Sequence, residues 1–158
     1  MDKLQLAITA AAESGTILLE NYGKIFQQTQ KESLRDVATD IDLLCEESII
    51  KTISSKYPDE TLLTEESGLF ERNKDSMWII DALDGTVNYI HNIPIFCVSI
   101  SYWEGLEPIL GVVFNPITQE LFYAEKGVGS FLNQKRLLLN ETPVDQSLCA
   151  MAFSGKAQ

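Results

Sequence analysis

An α+β domain, with two long helices packed on a mostly antiparallel sheet, is the fold this sequence predicts. Apolar residues recur at helical spacing through most of the first 56 positions, and from Thr61 onward they fall in short runs broken by turns. Those turns are tight, as at Glu104-Gly105 and Lys126-Gly127, so the strands they join must be antiparallel neighbours.

Residues 2–26 place Leu4, Ala7, Ile8, Ala11, Gly15, Leu18 and Tyr22 on one stripe and form the first expected helix. Gly15 within that stripe permits close packing. Residues 27–38 are polar and aperiodic, which predicts a loop. The second expected helix spans 40–56, with Ile41, Leu44, Cys45, Ser48, Ile49 and Ile53 on one face. Thr39 is its expected N-cap, and Tyr57-Pro58-Asp59 ends it. Thr61–Thr64 and Met77–Ile80 then read as strands, followed by a short helix from about Asp84. Further strands are expected at 95–103, 107–114, 119–124 and 129–132, with another over Ser147–Phe153.

The 158 residues, 45% hydrophobic and 22% charged, suit one globular domain without repeats or linkers. Twelve Lys and Arg against 23 Asp and Glu give a net charge of −11, which argues against nucleic acid and anionic membrane as partners. No apolar run approaches the ~20 residues that span a bilayer. Cys45, Cys97 and Cys149 form no C-x-x-C pair. Without a signal peptide they point to a reducing cytoplasm, with Cys45 and Cys97 read as small buried hydrophobes. Trp78 and Trp103 read as core.

The most informative stretch is Trp78-Ile79-Ile80-Asp81-Ala82-Leu83-Asp84-Gly85-Thr86. An apolar run ends there in two carboxylates, and ionised carboxylates near a core are costly unless paired or bound to metal. Two other acidic places can join them: Asp36 to Asp42, leading into the second helix, and Glu65-Glu66 at a strand end. Strand ends of α/β sheets converge on one crevice. Oxygen-only ligands favour a hard cation such as Mg²⁺, and with a single histidine, His91, zinc or iron is not expected. Gly85 allows close backbone approach, new helix N–H groups offer a phosphate cradle, and the Thr86 hydroxyl can orient water. The parts suit metal-assisted hydrolysis of a phosphate ester.

Each residue also has a structural account. Asp42 can serve a helix dipole, Asp84 can be an N-cap, and His91 reads as a packing or hydrogen-bonding residue near the site. A haloacid-dehalogenase-type D-x-D-G-T reading fails, because Ala82 stands where its nucleophilic aspartate would be.

Asp81-Ala82-Leu83-Asp84-Gly85-Thr86, the following Val87-Asn88-Tyr89-Ile90-His91-Asn92-Ile93-Pro94, Thr64-Glu65-Glu66-Ser67 and Asp36 through Asp42 together resemble the inositol monophosphatase family. Gly111–Pro116 and Glu120–Asn133 extend the resemblance over essentially the whole chain. It implies a layered α-β-α-β-α sandwich and a Mg²⁺-dependent, Li⁺-sensitive phosphatase of small sugar or polyol phosphates, with two or three Mg²⁺ ions per site. Glu65, Asp81 and the Leu83 carbonyl would hold one ion, and Asp81 with Asp84 a second. Glu65 and Thr86 would activate water, with Asp42 polarising the Thr86 hydroxyl. Gly85 and Thr86 N–H groups, beside Asp84, would hold the substrate phosphate. The resemblance implies a homodimer. Runner-up substrates are fructose bisphosphate and 3′-phosphoadenosine nucleotides, and Asn88-Tyr89-Ile90-His91 leans toward the inositol branch.

Ala82 replaces the family's usual proline, loosening a turn without removing a ligand. The family's second half, with its W-D-x-A-[AG] motif, is absent from these 158 residues. Residues 1–158 are therefore expected to be the N-terminal metal- and phosphate-binding domain, with the second cation weak or missing. The contrasting expectation is a catalytically silent fragment or regulatory interaction module.

Overall fold

A computed structural model describes residues 1–24, 34–138 and 142–147. Helix α1 runs from Lys3 to Asn21, opened by Asp2, whose carboxylate accepts the Gln5 N–H at 2.8 Å. It buries Leu6, Ala7, Ala10, Ala11, Ser14, Gly15 and Leu18, a stripe of mostly small side chains that lets it lie close to its neighbours. Tyr22 leaves the helix and Gly23 turns to positive φ, so α1 ends before the expected residue 26. Helix α2 spans Leu34–Ser54 and thus begins inside the segment read as loop. Thr39 is therefore interior to α2 and is not its N-cap. Leu34, Val37 and Ile41 carry the three- and four-residue spacing backwards, a signal that the polar residues between them masked. Leu44, expected on the packed face, is half exposed, while Cys45, Ile49 and Ile53 are fully buried. Cys149 and the expected strand at Ser147–Phe153 lie outside the described residues beyond Ser147 itself.

The strands are β1 (Glu60–Thr64), β2 (Leu69–Phe70), β3 (Asn73–Asp84), β4 (Cys97–Glu104), β5 (Glu107–Asn115), β6 (Glu120–Glu125), β7 (Gly129–Leu132) and β8 (Lys135–Arg136). They form one sheet in the order β2-β1-β3-β4-β5-β6-β7-β8. Among the described residues only β1 and β3 pair in parallel; every other neighbouring pair is antiparallel. Helix α3, Thr86–Ile90, follows β3 directly. The expected α+β arrangement is present, with α1 and α2 on the sheet.

Alternate residues of the central strands meet the helices. Trp78, Ile80 and Ala82 of β3, Val98, Ile100 and Tyr102 of β4, and Leu110 and Val112 of β5 are all buried. Trp78 is core, as expected, and its indole N–H donates to Glu60 at 2.5 Å. Trp103 sits on the opposite face, only half buried, and donates to the Ser101 hydroxyl at 3.0 Å. Lys3 ties α1 to the far end of the sheet through a 2.7 Å ion pair with Glu60.

Gly15 explains how α1 reaches β5. A Cβ at this position would lie 2.6 Å from a ring carbon of Phe114 and 3.2 Å from Pro116. Gly15→Val is expected to destabilise the fold by about 1–3 kcal/mol through overpacking. Thermal melts should show a Tm lowered by roughly 3–10 °C.

Candidate active site

A β-bulge builds the site. In unbroken antiparallel register, with Asp81 opposite Ser99, Leu83 would oppose Cys97; instead Asp84 does. The extra residue matters because strand side chains alternate faces, and residues three apart normally point oppositely. Asp81 and Asp84 oppose Ser99 and Cys97, which share a face, so the bulge returns both aspartates to one face. Ala82 and Leu83, between them, are both fully buried.

The backbone beyond is equally constrained. Gly85 adopts φ +96°, and a Cβ there would lie 2.9 Å from the Ile95 carbonyl oxygen, so only glycine fits without strain. Gly85, not Asp84, occupies the N-cap of α3, and no side chain caps that helix. Asp84 is thus the exposed last residue of β3, free of the capping duty Asp often performs. The Leu83 N–H donates to Asp81 Oδ1 at 3.2 Å, and the Thr86 hydroxyl donates to the Leu83 carbonyl at 3.1 Å. The expected Asp42–Thr86 contact is not made, since the Thr86 proton goes to Leu83.

Asp42 enters from α2. It lies well past the first turn of that helix, so the dipole account does not apply. Its side chain is buried and Oδ1 has no hydrogen-bond partner. Burial, then the charges of Asp81, Glu46, Glu66 and Glu65, push its carboxyl up to about 7. Asp81 is likewise pushed up to about 7, by burial and then by Glu65 and Asp84, against the opposing pull of the Leu83 N–H. Glu65, exposed in the turn after β1, stands within hydrogen-bonding reach of Asp81. The structure therefore brings Asp42, Glu65, Asp81 and Asp84 to one region. Asp36 lies in α2, with its side chain outside the described part.

Among the described residues, no three His, Cys, Asp or Glu side chains converge tightly enough to form a preformed metal cage. The donors nevertheless fit a hard divalent cation. They are all oxygens: Asp42 is buried with one oxygen orphaned, and Asp81 is half-buried beside the charges of Glu65 and Asp84.

The same shifts set a pH dependence. Asp42 and Asp81 have folded-state pKa values above their unfolded ones, so the folded chain holds more protons between about pH 4 and 7. Their contribution is fully present below the unfolded value and is lost as pH rises through about 7. In chelator, the Tm contribution of these two acids should fall from pH 5 to pH 8. Added Mg²⁺ should raise Tm more at pH 8 than at pH 5. Melts across that range, with and without Mg²⁺, check both signs.

Two expectations need correction. Cys97 is only half buried; its thiol faces Asp84 Oδ2 at 3.7 Å and is pushed up to about 12 by burial and that carboxylate. His91 is exposed, contributing its backbone N–H to the Val87 carbonyl as the C-cap of α3 rather than packing near the site. A cavity of about 300 Å³ opens beside Asp84, Gly85, Asn88 and Cys97. Larger grooves over β5–β7 and between α1 and α2 lie away from the acidic cluster.

Glu46 is the residue sequence reasoning passed over. It is fully buried and accepts the backbone N–H groups of Glu66 at 2.9 Å and Ser67 at 3.0 Å. Its signal was present: a carboxylate four residues after Asp42, inside the apolar stripe of Ile41, Cys45, Ile49 and Ile53.

Helices on a mixed sheet, with carboxylates near a bulged strand end, define a layered α+β sandwich with an acidic cluster. The model of the inositol monophosphatase family matches residues 2–158, and the chain belongs to that family. It is 38% identical over 141 residues to a fructose-1,6-bisphosphatase/inositol-1-monophosphatase of Thermotoga maritima, covering 89% of this chain and 54% of that protein. The extragenic suppressor protein suhB of Bartonella henselae superposes with a TM-score of 0.77 at 32% identity, covering 87% of this chain and 54% of the other. SaIMPase-II with inositol monophosphate bound matches with a TM-score of 0.71 at 27% identity, over 87% of this chain and 50% of that one. The chain thus spans about half the length of the curated relatives it matches. No helix among the described residues is long and apolar enough to cross a membrane.

Proposed function

We propose that residues 1–158 are the metal- and phosphate-binding domain of a Mg²⁺-dependent phosphomonoester hydrolase acting on inositol 1-phosphate or a similar polyol phosphate. The observation that supports this most is the bulge at Asp81–Asp84, which returns two carboxylates to one face, with Glu65 near Asp81. Glu65, Asp81 and the Leu83 carbonyl would hold one Mg²⁺, and Asp81 with Asp84 another, of two or three per site. When bound, Mg²⁺ supplies charge neutralisation and a more acidic water.

The chain's own groups do the rest. Glu65 stands to accept the proton of an attacking water, and Thr86, held by its bond to Leu83, orients that water. Asp42 sets the field around them from the helix side. Gly85 and Thr86 N–H groups would hold phosphate oxygens, at a turn whose positive φ and contact with Ile95 require glycine. Direct attack by water needs no covalent enzyme intermediate. By the family resemblance we infer a cytoplasmic location, and a homodimer for the full-length form.

Fructose 1,6-bisphosphate is the second substrate, favoured by the double name of the Thermotoga relative. The test is phosphate release from inositol 1-phosphate and fructose 1,6-bisphosphate by the 158-residue chain and by any longer form, with Mg²⁺, Li⁺ and chelator. Mg²⁺-dependent, Li⁺-inhibited release supports the reading. Release that ignores chelation, or none from either form, overturns it.

A further inference from the structure

We infer that Glu46 is the positioning residue of this site, fixing where Glu65 stands by clamping the backbone of the turn that carries it. Glu65 and Glu66 follow β1 in an exposed turn whose side chains have little packing to hold them. Beneath it lies Glu46, with 0% exposure, each carboxylate oxygen accepting one backbone N–H: Oε1 from Glu66 and Oε2 from Ser67. A buried carboxylate is costly unless satisfied, and a bidentate grip on two successive amides satisfies it while removing the turn's freedom. Glu46 lies one helical turn from Asp42, on the same face of α2. One rigid helix therefore carries both the orphaned Asp42 oxygen and the anchor of Glu65, and sets the spacing between them.

Partners behind a metal ligand typically govern affinity by 10- to 100-fold. This inference rests on the Mg²⁺ reading of the site, and its test separates the two. Mg²⁺ is titrated calorimetrically into the 158-residue chain and its E46Q, E65Q and E46Q/E65Q variants, with Tm recorded for each. The amide of Gln presents an NH₂ to one of the two N–H donors, breaking half the clamp while keeping the volume. E46Q is expected to weaken Mg²⁺ binding by about 10- to 100-fold in the unmodified background and by much less in the E65Q background. A folded E46Q with unchanged affinity, or an equal loss in both backgrounds, overturns the inference, since a purely structural Glu46 would lower Tm alone.

If E46Q does not fold, Glu46→Asp, which keeps the charge but cannot reach both amides, takes its place with the same expectation. If the unmodified chain binds no Mg²⁺, or neither variant folds, hydrogen exchange of the Glu66 and Ser67 amides decides the positioning claim. Slow exchange in the unmodified chain supports the clamp, and fast exchange overturns it. Absent Mg²⁺ binding by itself counts against the proposed function, not against the clamp.

Discussion

Asp81→Asn is expected to abolish Mg²⁺ binding and, in chelator at pH 7.5, to make the chain more stable than the unmodified protein. Both effects have one cause. Asp81 is held between burial and the charges of Glu65 and Asp84, which push it up to about 7. Without a cation, its ionised form is disfavoured by those neighbours; in the proposed role it would be the donor common to both ions. Asparagine keeps the acceptor for the Leu83 N–H, so the bulge should persist. Removing the charge should stabilise the metal-free fold by about 1–3 kcal/mol at pH 7.5, after discounting the shift for partial solvent access. At pH 5, where the acid is largely protonated, the gain should disappear. Calorimetric Mg²⁺ titration and paired melts at the two pH values check this. Unchanged Mg²⁺ affinity would refute the role assigned to Asp81.

Glu65→Gln is expected to remove turnover while leaving the fold as it is. The side chain is exposed, so its amide should shift Tm little. It nevertheless stands within reach of Asp81 and carries both a metal-ligand and a proton-accepting assignment. Loss of a positioned general base alone costs about 10²–10⁴ in rate, and weakened Mg²⁺ binding adds to that. Steady-state phosphate release at saturating Mg²⁺ separates the two losses. A rate within threefold of the unmodified chain would remove Glu65 from the mechanism.

The elements that were legible from the residues are those whose signals are local. The short apolar runs and the turns at Glu104-Gly105 and Lys126-Gly127 announced antiparallel neighbours. The acids Asp81 and Asp84 were conspicuous at the end of an apolar run. Why they act together was not legible, because the bulge is a property of pairing between β3 and β4. Thr39 misled because a capping residue inside a helix looks like one at its start. Glu46 escaped because a charged residue on a helix is usually solvated, and only the turn packed over it reveals otherwise. Leu44 shows the converse, an apolar residue in good periodic register that the packing leaves half in solvent, while Trp103 falls on the outer face of β4.

The proposed function requires a Mg²⁺ site at the bulged end of β3. Calorimetric titration of Mg²⁺ into the unmodified 158-residue chain at pH 7.5, beside Asp81→Asn, tests it most directly. Saturable binding that the variant lacks is expected, with heat that shrinks at pH 5 as Asp42 and Asp81 take up protons. Absence of saturable binding, or equal binding by both proteins, would contradict it.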